Sequence, residues 1–393
     1  MRARLLVTDG INKNALSVIR NLGKEFEIDV LSHKPKWRSV CSASKYVRNN
    51  IRVHHPQDIQ GYGEQIVSIV TKGDYDFFIP VGLNSYLASS LRRDEIKGST
   101  NCLLPTWQVM QIAANKEMTV AFAQKAGIPV PETRILSAEP DLGDISSFPV
   151  VIKSSDSGGR FVRYCRNRQE LLSNYSDLVR ISRTRVIAQE CVKGFGCGFY
   201  GVYKNGNLLD FFMHRRIKEF PVTGGPAAVA ESYLDKDIFR YGKKIGDSLE
   251  WEGPIMAEFK KDPDSGKIHL IEVNPKLWGS LDLTIAAGVD VPRIIVRACR
   301  GEAAASSRGI ELEDAHYDSL RFRWLFPDEF KTVMSQKRVR GLLELTRKGP
   351  GPEKTNMILS DPFPTAMQVM AGIIEGLQVA VNEKVRYPHG NKD

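Results

Sequence analysis

Apolar runs and amphipathic stretches alternate at the start of the chain. Residues 4–8 are a short apolar run typical of a buried parallel strand, and the apolar positions of 14–22 recur at helical spacing. A second strand is predicted at 26–31, and another helix and strand follow at 66–71 and 75–81. This alternation predicts a small, doubly wound α/β unit in the first part of the chain.

A second group of strands is predicted in the middle of the chain. Asn115–Ala126 is predicted to be a helix that ends at Gly127, because Pro129 and Pro131 prevent its continuation. Four strands are predicted after it, at 147–153, 185–192, 197–203 and 207–213.

A turn-forming segment then separates two apolar stretches. Residues 261–267, Lys-Asp-Pro-Asp-Ser-Gly-Lys, are rich in residues that favour turns. The flanking segments 255–260 and 268–274 should therefore pair as a β-hairpin, with the turn centred near Ser265.

Three oxygen-bearing side chains converge on one face of this hairpin. Glu258 is expected opposite Glu272, and Asn274 points to the same face because side chains alternate along a strand. Two facing carboxylates repel unless a cation lies between them, and Mg²⁺ prefers few carboxylates together with waters and phosphate oxygens. A solvated face neutralised by Lys260 and Lys276 is the alternative, but the apolar neighbours of the pair favour a metal site.

Two basic segments are candidates for binding an anion. Lys153 ends a strand and precedes the loop 154–160, Ser-Ser-Asp-Ser-Gly-Gly-Arg, whose small residues let backbone N–H groups approach phosphate oxygens. The loop lacks the Gly-Lys-Ser/Thr of a Walker A sequence, and a plain hairpin turn explains its glycines equally well. His214-Arg-Arg-Ile217 also suits an anion, with a solvated strand end as the alternative.

Composition and charge narrow the function classes. The 393 residues are 42% hydrophobic and 26% charged, which is ordinary globular composition. Six cysteines without a Cys-x-x-Cys pair indicate neither a disulfide framework nor a zinc site. The net charge is +9, and its excess lies mainly in 151–220, where 13 Lys and Arg face 6 Asp and Glu. This region favours a polyanionic ligand, either nucleic acid or a nucleotide phosphate.

Taken in order, these segments resemble the ATP-grasp superfamily over about residues 110–300. Residues 274–280 read Asn-Pro-Lys-Leu-Trp-Gly-Ser. They are similar to the Asn-Pro-Arg-Phe-Trp-Gly-Ser stretch of the carboxylate-amine ligase branch of this superfamily, which resembles carbamoyl phosphate synthase. The resemblance implies a doubly wound α/β pre-ATP-grasp domain followed by a two-lobed ATP-grasp α+β fold. The implied divisions are a pre-ATP-grasp domain at 1–112, a small lobe at 113–190, a metal and phosphate lobe at 191–310 and a C-terminal extension at 311–393.

For the nucleotide, the resemblance implies three sets of contacts. The lysines that would touch its phosphates are Lys116 and Lys153. The flexible loop that closes over the β- and γ-phosphates corresponds to Ser157, Gly158 and Gly159. The hinge that hydrogen-bonds adenine through its backbone corresponds to Gln189, Glu190, Cys191 and Val192.

For the reaction, the resemblance assigns the metal ligands and the catalytic cations. The magnesium ligands would be Glu258, Glu272 and Asn274. Arg215 or Arg216 would face the transferring phosphoryl group. Lys276 replaces the usual arginine, and a lysine offers a point charge where an arginine offers a planar fork.

The implied enzyme is an ATP-dependent carboxylate-amine ligase that forms C–N bonds and releases ADP and phosphate. A carboxylate attacks the γ-phosphoryl group of ATP, and an amine then displaces phosphate from the acyl phosphate. The implied cofactors are ATP and two Mg²⁺ ions, which Mn²⁺ can replace. The implied partners are a small-molecule carboxylate and an amine. A small-molecule kinase that uses the same ATP site is the main alternative, followed by a silent ATP-binding regulator. A nucleic-acid-binding protein is disfavoured because the basic region lacks interleaved aromatic residues.

The sequence also predicts a cytoplasmic protein without a membrane partner. The first apolar run is too short for a signal-peptide core. The most apolar late segment, 367–381, is interrupted by Gln368, Glu375 and Gln378. The oligomeric state is left open, with a homodimer among the alternatives.

Overall fold

The structure is a computed structural model that describes residues 2–54, 58–136, 139–156, 161–182, 184–221, 224–302, 309–336 and 339–388. Among these residues the strands form three sheets, with helices between and around them. The predicted mixed α/β class is confirmed. The described helices include none that is long and apolar enough to cross a membrane.

The first sheet is parallel and is covered on both faces. Its order is β3-β2-β1-β4, and each pairing is parallel. Leu5 and Val7 belong to one hydrophobic core and Leu6 to another, because successive side chains of a strand point to opposite faces. The elements of this part are β1 (Arg4–Val7), α1 (Lys13–Leu22), β2 (Glu27–Ser32), β3 (Val47–Arg52), α2 (Ile59–Gly73), β4 (Phe77–Ile79), α3 (Leu83–Leu91), α4 (Arg93–Lys97) and α5 (Trp107–Ala114).

The second sheet is small and antiparallel, in the order β5-β8-β6-β7. Its elements are α6 (Lys116–Lys125), β5 (Thr133–Leu136), β6 (Val150–Ser154), β7 (Val162–Cys165), α7 (Arg168–Ser182) and β8 (Val186–Glu190). It packs around a hydrophobic core of its own, which contains Val150 and Ile152 of β6 and Leu171 and Leu178 of α7.

The third sheet is the largest, in the order β13-β12-β9-β10-β11-β14-β15. Its strands are β9 (Phe195–Lys204), β10 (Asn207–Glu219), β11 (Ala227–Ser232), β12 (Gly253–Lys261), β13 (Ile268–Asn274), β14 (Arg321–Arg323) and β15 (Glu353–Thr355). The helices of this part are α8 (Lys236–Ser248), α9 (Leu281–Ala286), α10 (Val291–Cys299), α11 (Phe330–Ser335), α12 (Val339–Thr346), α13 (Pro362–Val381) and α14 (Glu383–Arg386).

Two short strands from the end of the chain complete this sheet. β14 pairs antiparallel with β11, and β15 pairs parallel with β14. These two strands of the segment 311–393 therefore extend the sheet that carries the predicted metal hairpin. The domain boundaries at 112, 190 and 310 stay a prediction.

The β12–β13 hairpin has the predicted register. Glu258 pairs with Glu272, Met256 pairs with Asn274, and the strands are antiparallel. β12 also pairs with β9, so Glu258 stands on a strand with neighbours on both sides, whereas Glu272 stands on the edge strand β13.

Candidate active site

A cavity of about 540 Å³ lies between the small antiparallel sheet and the large sheet. Val151, Lys153 and Val162 line it from the small sheet, and Glu258 and Glu272 line it from the large one. Its volume is in the range of small-molecule sites, and its walls combine apolar side chains with a few charged groups, as such sites do.

The two glutamates and Asn274 form one cluster on the cavity wall. The Asn274 Nδ2 donates a hydrogen bond to Glu272 Oε1 at 2.8 Å and lies 3.4 Å from Glu258 Oε1. Arg216 Nη2 lies 2.6 Å from Glu258 Oε2, and Lys116 Nζ lies 3.9 Å from Glu272 Oε2. The carboxylates thus face each other with a cation beside each of them.

The surroundings move the pKa values of the two glutamates in opposite directions. Burial raises the pKa of Glu258, and repulsion from Glu272 adds to burial, so that the attraction of Arg216 is outweighed. Burial also acts to raise the pKa of Glu272, but Lys116, the Asn274 hydrogen bond and Lys153 together lower it. Glu272 is therefore the more firmly ionised member of the pair.

Two buried lysines approach the cluster from the other side. Lys116 begins α6, where its backbone N–H donates to Ser155 O at 2.7 Å and its Nζ donates to Asp156 O at 2.7 Å. Burial, together with the positive charge of Lys116, lowers the pKa of Lys153 to about 8. Burial likewise lowers the pKa of Lys116, against the attraction of Glu272. Two poorly solvated ammonium groups in one cavity suit an anionic ligand.

The two arginines of β10 point to opposite faces of the strand. Arg216 lines the cavity, whereas Arg215 donates from its Nε to Glu231 Oε1 at 2.8 Å and lies over the Tyr233 ring at 5.5 Å. Arg215 does not line the cavity, and its place among the predicted catalytic residues stays a prediction. The difference between the two arginines is caused by the two-residue period of a strand, which separates consecutive side chains.

The predicted hinge and Lys276 both line the cavity. Gln189 is held in β8 by a bond from its Nε2 to Thr133 Oγ1 at 2.8 Å, and Glu190 N donates to Glu132 O at 3.0 Å. Val192 O accepts a hydrogen bond from Lys260 Nζ at 3.0 Å. The lining members of the predicted hinge are Gln189, Glu190, Cys191 and Val192. The predicted phosphate loop, Ser157, Gly158 and Gly159, lies outside the described residues.

His214, which the sequence placed in a candidate anion-binding segment without a role of its own, also lines the cavity. His214 Nε2 lies 2.7 Å from Ser280 Oγ, and its ring stacks on Tyr200 with 4.5 Å between centroids. Burial and the charge of Arg216 lower the pKa of His214 to about 3, so the imidazole is neutral near pH 7. Since His214 stands two residues before Arg216, strand alternation could have placed both on one face.

The donor set fits a hard divalent cation. The described residues contain no group of three or more His, Cys, Asp and Glu side chains arranged for a metal. Glu258 and Glu272 would supply carboxylate oxygens, and Asn274 would add its Oδ1 after its amide rotates by half a turn. Mg²⁺ prefers a site in which a few protein ligands are completed by waters and phosphate oxygens.

Comparisons by sequence give distant relatives. No family model matches the chain. The chain is 26% identical over 232 residues to the 2-oxoglutarate carboxylase small subunit of Hydrogenobacter thermophilus, covering 50% of this chain and 46% of that one. It is 22% identical over 192 residues to the carbamoyl phosphate synthase large chain, C-terminal section, of Methanopyrus kandleri, covering 45% of this chain and 35% of that one. The chain spans less than half the length of these curated relatives.

Solved structures match a larger share of the chain. The biotin carboxylase domain dimer of H. thermophilus 2-oxoglutarate carboxylase, in complex with MgADP, ADP and bicarbonate, has a TM-score of 0.65 at 17% identity, over 81% of this chain and 73% of that one. The ADP complex of an N5-carboxyaminoimidazole ribonucleotide synthetase gives 0.61 at 16%, over 76% and 78%. The L-amino acid ligase from Bacillus licheniformis gives 0.60 at 15%, over 77% and 76%.

These structures define the class of the fold. The chain has the ATP-grasp fold, and its predicted resemblance to the ATP-grasp superfamily is confirmed.

Proposed function

We propose that this chain is an ATP-dependent carboxylate-amine ligase, which activates a carboxylate as an acyl phosphate and joins it to an amine. The observation that carries the proposal is the cavity itself, where Lys116, Lys153 and Arg216 surround the facing pair Glu258 and Glu272. Such a set of fixed charges suits a triphosphate and a divalent cation that arrive together.

Each charged group has a task in this proposal. Lys116 and Lys153 hold the phosphates, and their burial makes the interaction strong because little water competes. Glu258, Glu272 and Asn274 hold Mg²⁺, which on binding reduces the repulsion between the phosphates and the attacking carboxylate. Arg216 then faces the γ-phosphoryl group. The backbone of 190–192 and its apolar surroundings bind the adenine ring.

The proposed reaction has two steps. A carboxylate oxygen bonds to the γ-phosphorus, the bond from that phosphorus to the β,γ-bridging oxygen breaks, and ADP leaves. The amine nitrogen then bonds to the acyl carbon, the bond from that carbon to the phosphate oxygen breaks, phosphate leaves and the nitrogen loses a proton. Lys276 and Arg216 stabilise the negative charge on the acyl phosphate between the steps.

The names of the similar proteins favour a ligase over the kinase alternative. They are carboxylases, a synthase, a synthetase and a ligase, and one of the structures contains bicarbonate. The carboxylate substrate is therefore proposed to be either bicarbonate or a small organic acid. Separately, Mn²⁺ is expected to be able to replace Mg²⁺.

The domain layout is part of the proposal. We infer a pre-ATP-grasp domain around the parallel sheet, a small lobe around the antiparallel sheet and a metal lobe around the hairpin. The proposed bounds remain 1–112, 113–190 and 191–310, with 311–393 as an extension that shares the large sheet.

The product of ATP cleavage tests the reaction class. Purified protein with Mg-ATP and pools of carboxylates, or with bicarbonate, should release ADP and phosphate. With an organic carboxylate and no amine, hydroxylamine should trap a hydroxamate. ADP formed with a phosphorylated hydroxyl compound and no hydroxamate would support the kinase instead, and AMP as the main product would overturn both.

A further inference from the structure

The helix α13 turns large apolar side chains to the outside of the molecule. On its inner face Gly372 lies against Phe326, and Gly376 lies against Phe330. On its outer face the exposed fractions are 70% for Phe363, 64% for Met370, 56% for Ile374, 56% for Leu377 and 85% for Val381. The outer face is therefore the more apolar one, the reverse of an ordinary surface helix.

The outer residues follow one another in the steps of a helix-packing seam. We call Phe363, Met367, Met370, Ile374, Leu377 and Val381 the α13 seam; consecutive members are four, three, four, three and four residues apart. This is the heptad spacing by which one helix packs its side chains into the holes of another. The seam thus matches the surface of a helix, with Ile374 and Val381 at positions where two-stranded packing prefers β-branched residues.

We propose that the α13 seam is the interface of a homodimer, in which the seam of one chain packs against the seam of a second copy. A two-fold interface uses the same patch on both subunits and must therefore be complementary to itself. The seam meets this condition because it contains no charged residue. The neutral residues that flank it, at the positions where coiled coils usually place charges, are Pro364, Ala366, Ala371, Ile373, Gln378 and Ala380.

The composition of α13 argues against a lipid surface as the occupant. Helices that lie in a membrane interface are rich in Lys and Arg on their polar face and often carry Trp. Between 362 and 381 the sequence contains no Lys, Arg or Trp, and its one charged residue is Glu375. A membrane with anionic lipids would gain no electrostatic attraction from this helix.

The area of the seam is suited to a second copy. Large apolar side chains exposed by more than half give an apolar patch on the order of 600 Å² per chain, at the upper end of what monomers expose. Standard interfaces bury about 800 Å² per partner, of which the apolar core is only a part. The inference does not depend on the proposed reaction, because the seam is made of residues that do not line the cavity.

Sedimentation velocity and light scattering of the full chain, from about 1 to about 100 µM, test the interface. The wild-type chain should show a discrete, concentration-dependent dimer. Leu377→Lys should weaken it about 100-fold or more, because two charges would enter an apolar contact. Leu234→Lys is the matched control: Leu234 is 51% exposed between β11 and α8, and its substitution should leave the dimer unchanged.

Folding of the variants is checked at low concentration, where each should have the circular dichroism and thermal midpoint of the wild type. If Leu377→Lys does not fold, Ile374→Ser provides the same test with a smaller change. A wild-type chain that stays monomeric throughout, forms only larger aggregates, or dimerises equally well with either seam substitution would overturn the proposal. Binding of a monomeric wild type to vesicles of anionic lipid would do so as well.

Discussion

Burial of the Lys153 ammonium group lowers the free energy of unfolding of the ligand-free protein. Its pKa is lowered to about 8 by burial and by Lys116, whereas an unfolded lysine keeps its proton up to about 10.4. Between these two pH values the unfolded chain binds more protons, so the contribution of Lys153 to the free energy of unfolding rises with pH. Below about pH 8 the penalty is present in full.

We therefore expect Lys153→Met to stabilise the ligand-free chain at pH 7 by on the order of 3 kcal/mol while activity is lost. The gain should shrink as the pH approaches 10, because the wild-type lysine is then neutral in the folded chain. Urea unfolding of both proteins at pH 7 and pH 10 measures the difference. The exposed Lys267→Met serves as the control, and a less stable Lys153→Met at pH 7 would mean that the lysine is a stabilising partner of the glutamates.

Glu272→Gln separates a metal ligand from an ordinary surface acid. The change removes one charge and almost no volume, and turnover should fall about 100-fold or more because the cation and phosphates lose a fixed negative partner. Steady-state ADP release measures the loss, with Glu313→Gln at an exposed position as the control. Wild-type turnover in Glu272→Gln would remove this residue from the proposed metal site.

At the residue scale, the sequence could predict which residues face each other within one hairpin. It could not predict contacts between residues that are distant in the chain. Glu258 and Glu272 could be paired because the turn between them sets the register. Strand alternation puts Arg215 and Arg216 on opposite faces, but the side that holds the cavity depends on sheet packing. The contact of His214 with Ser280 joins residues 66 apart in the chain, for which no local pattern exists.

At the scale of elements, pairing with neighbouring strands overrode local polarity in two strands. β10 continues to Glu219, six residues beyond its predicted end at 213, through a charged stretch that the sequence indicated as a strand end. The charges are tolerated because Arg216 is matched by Glu258 and Glu219. The strand β3 was not predicted, since its sequence Val-Arg-Asn-Asn-Ile-Arg has little apolar alternation and lies at the edge of its sheet.

The start of α13 is fixed by Asp361, whose side chain is buried. Its carboxylate accepts hydrogen bonds from Arg20 Nε at 3.0 Å, Ser44 Oγ at 2.8 Å and Lys45 N at 3.1 Å. Arg20 belongs to α1, so this carboxylate ties α13 to the first, parallel sheet and its helices.

Asp361→Ala should lower the free energy of unfolding by about 3 kcal/mol, because Arg20 would stay buried without its partner. Urea unfolding measures the loss. The double variant Arg20→Met with Asp361→Ala should recover part of it by removing the orphaned charge. An equal or larger loss in the double variant would show that the packing of Arg20, and not its charge, holds α13 in place.

For the whole molecule, the alternation of strands and helices was enough to predict the mixed α/β class. It could not predict that β14 and β15 complete the large sheet, because each has only three residues, too few for a periodic pattern. The arrangement of the three sheets likewise depends on cores shared between distant segments, such as the one in which Leu5 of β1 joins Trp278 and Trp324.

The separate core of the small sheet has a consequence for how the molecule opens. Eleven buried residues, from Leu136 to Ala188, form this cluster apart from the two larger ones. A unit with its own core can unfold locally while the rest of the protein stays intact. Amide hydrogen exchange should therefore release β6 and β8 together, and faster than β9 and β12.

Mg-ATP should slow that exchange, since Lys153 on β6 and Glu272 on the large sheet would then be linked through one ligand. Mass spectrometry of exchanged peptides, with and without nucleotide, compares the two sheets directly. Exchange of β6 at the same rate as β12 would mean that the sheets unfold as one. If β6 exchanges faster than β12, the bound ligand determines how often the small sheet opens. The ligand would then stabilise the fold as well as take part in the reaction.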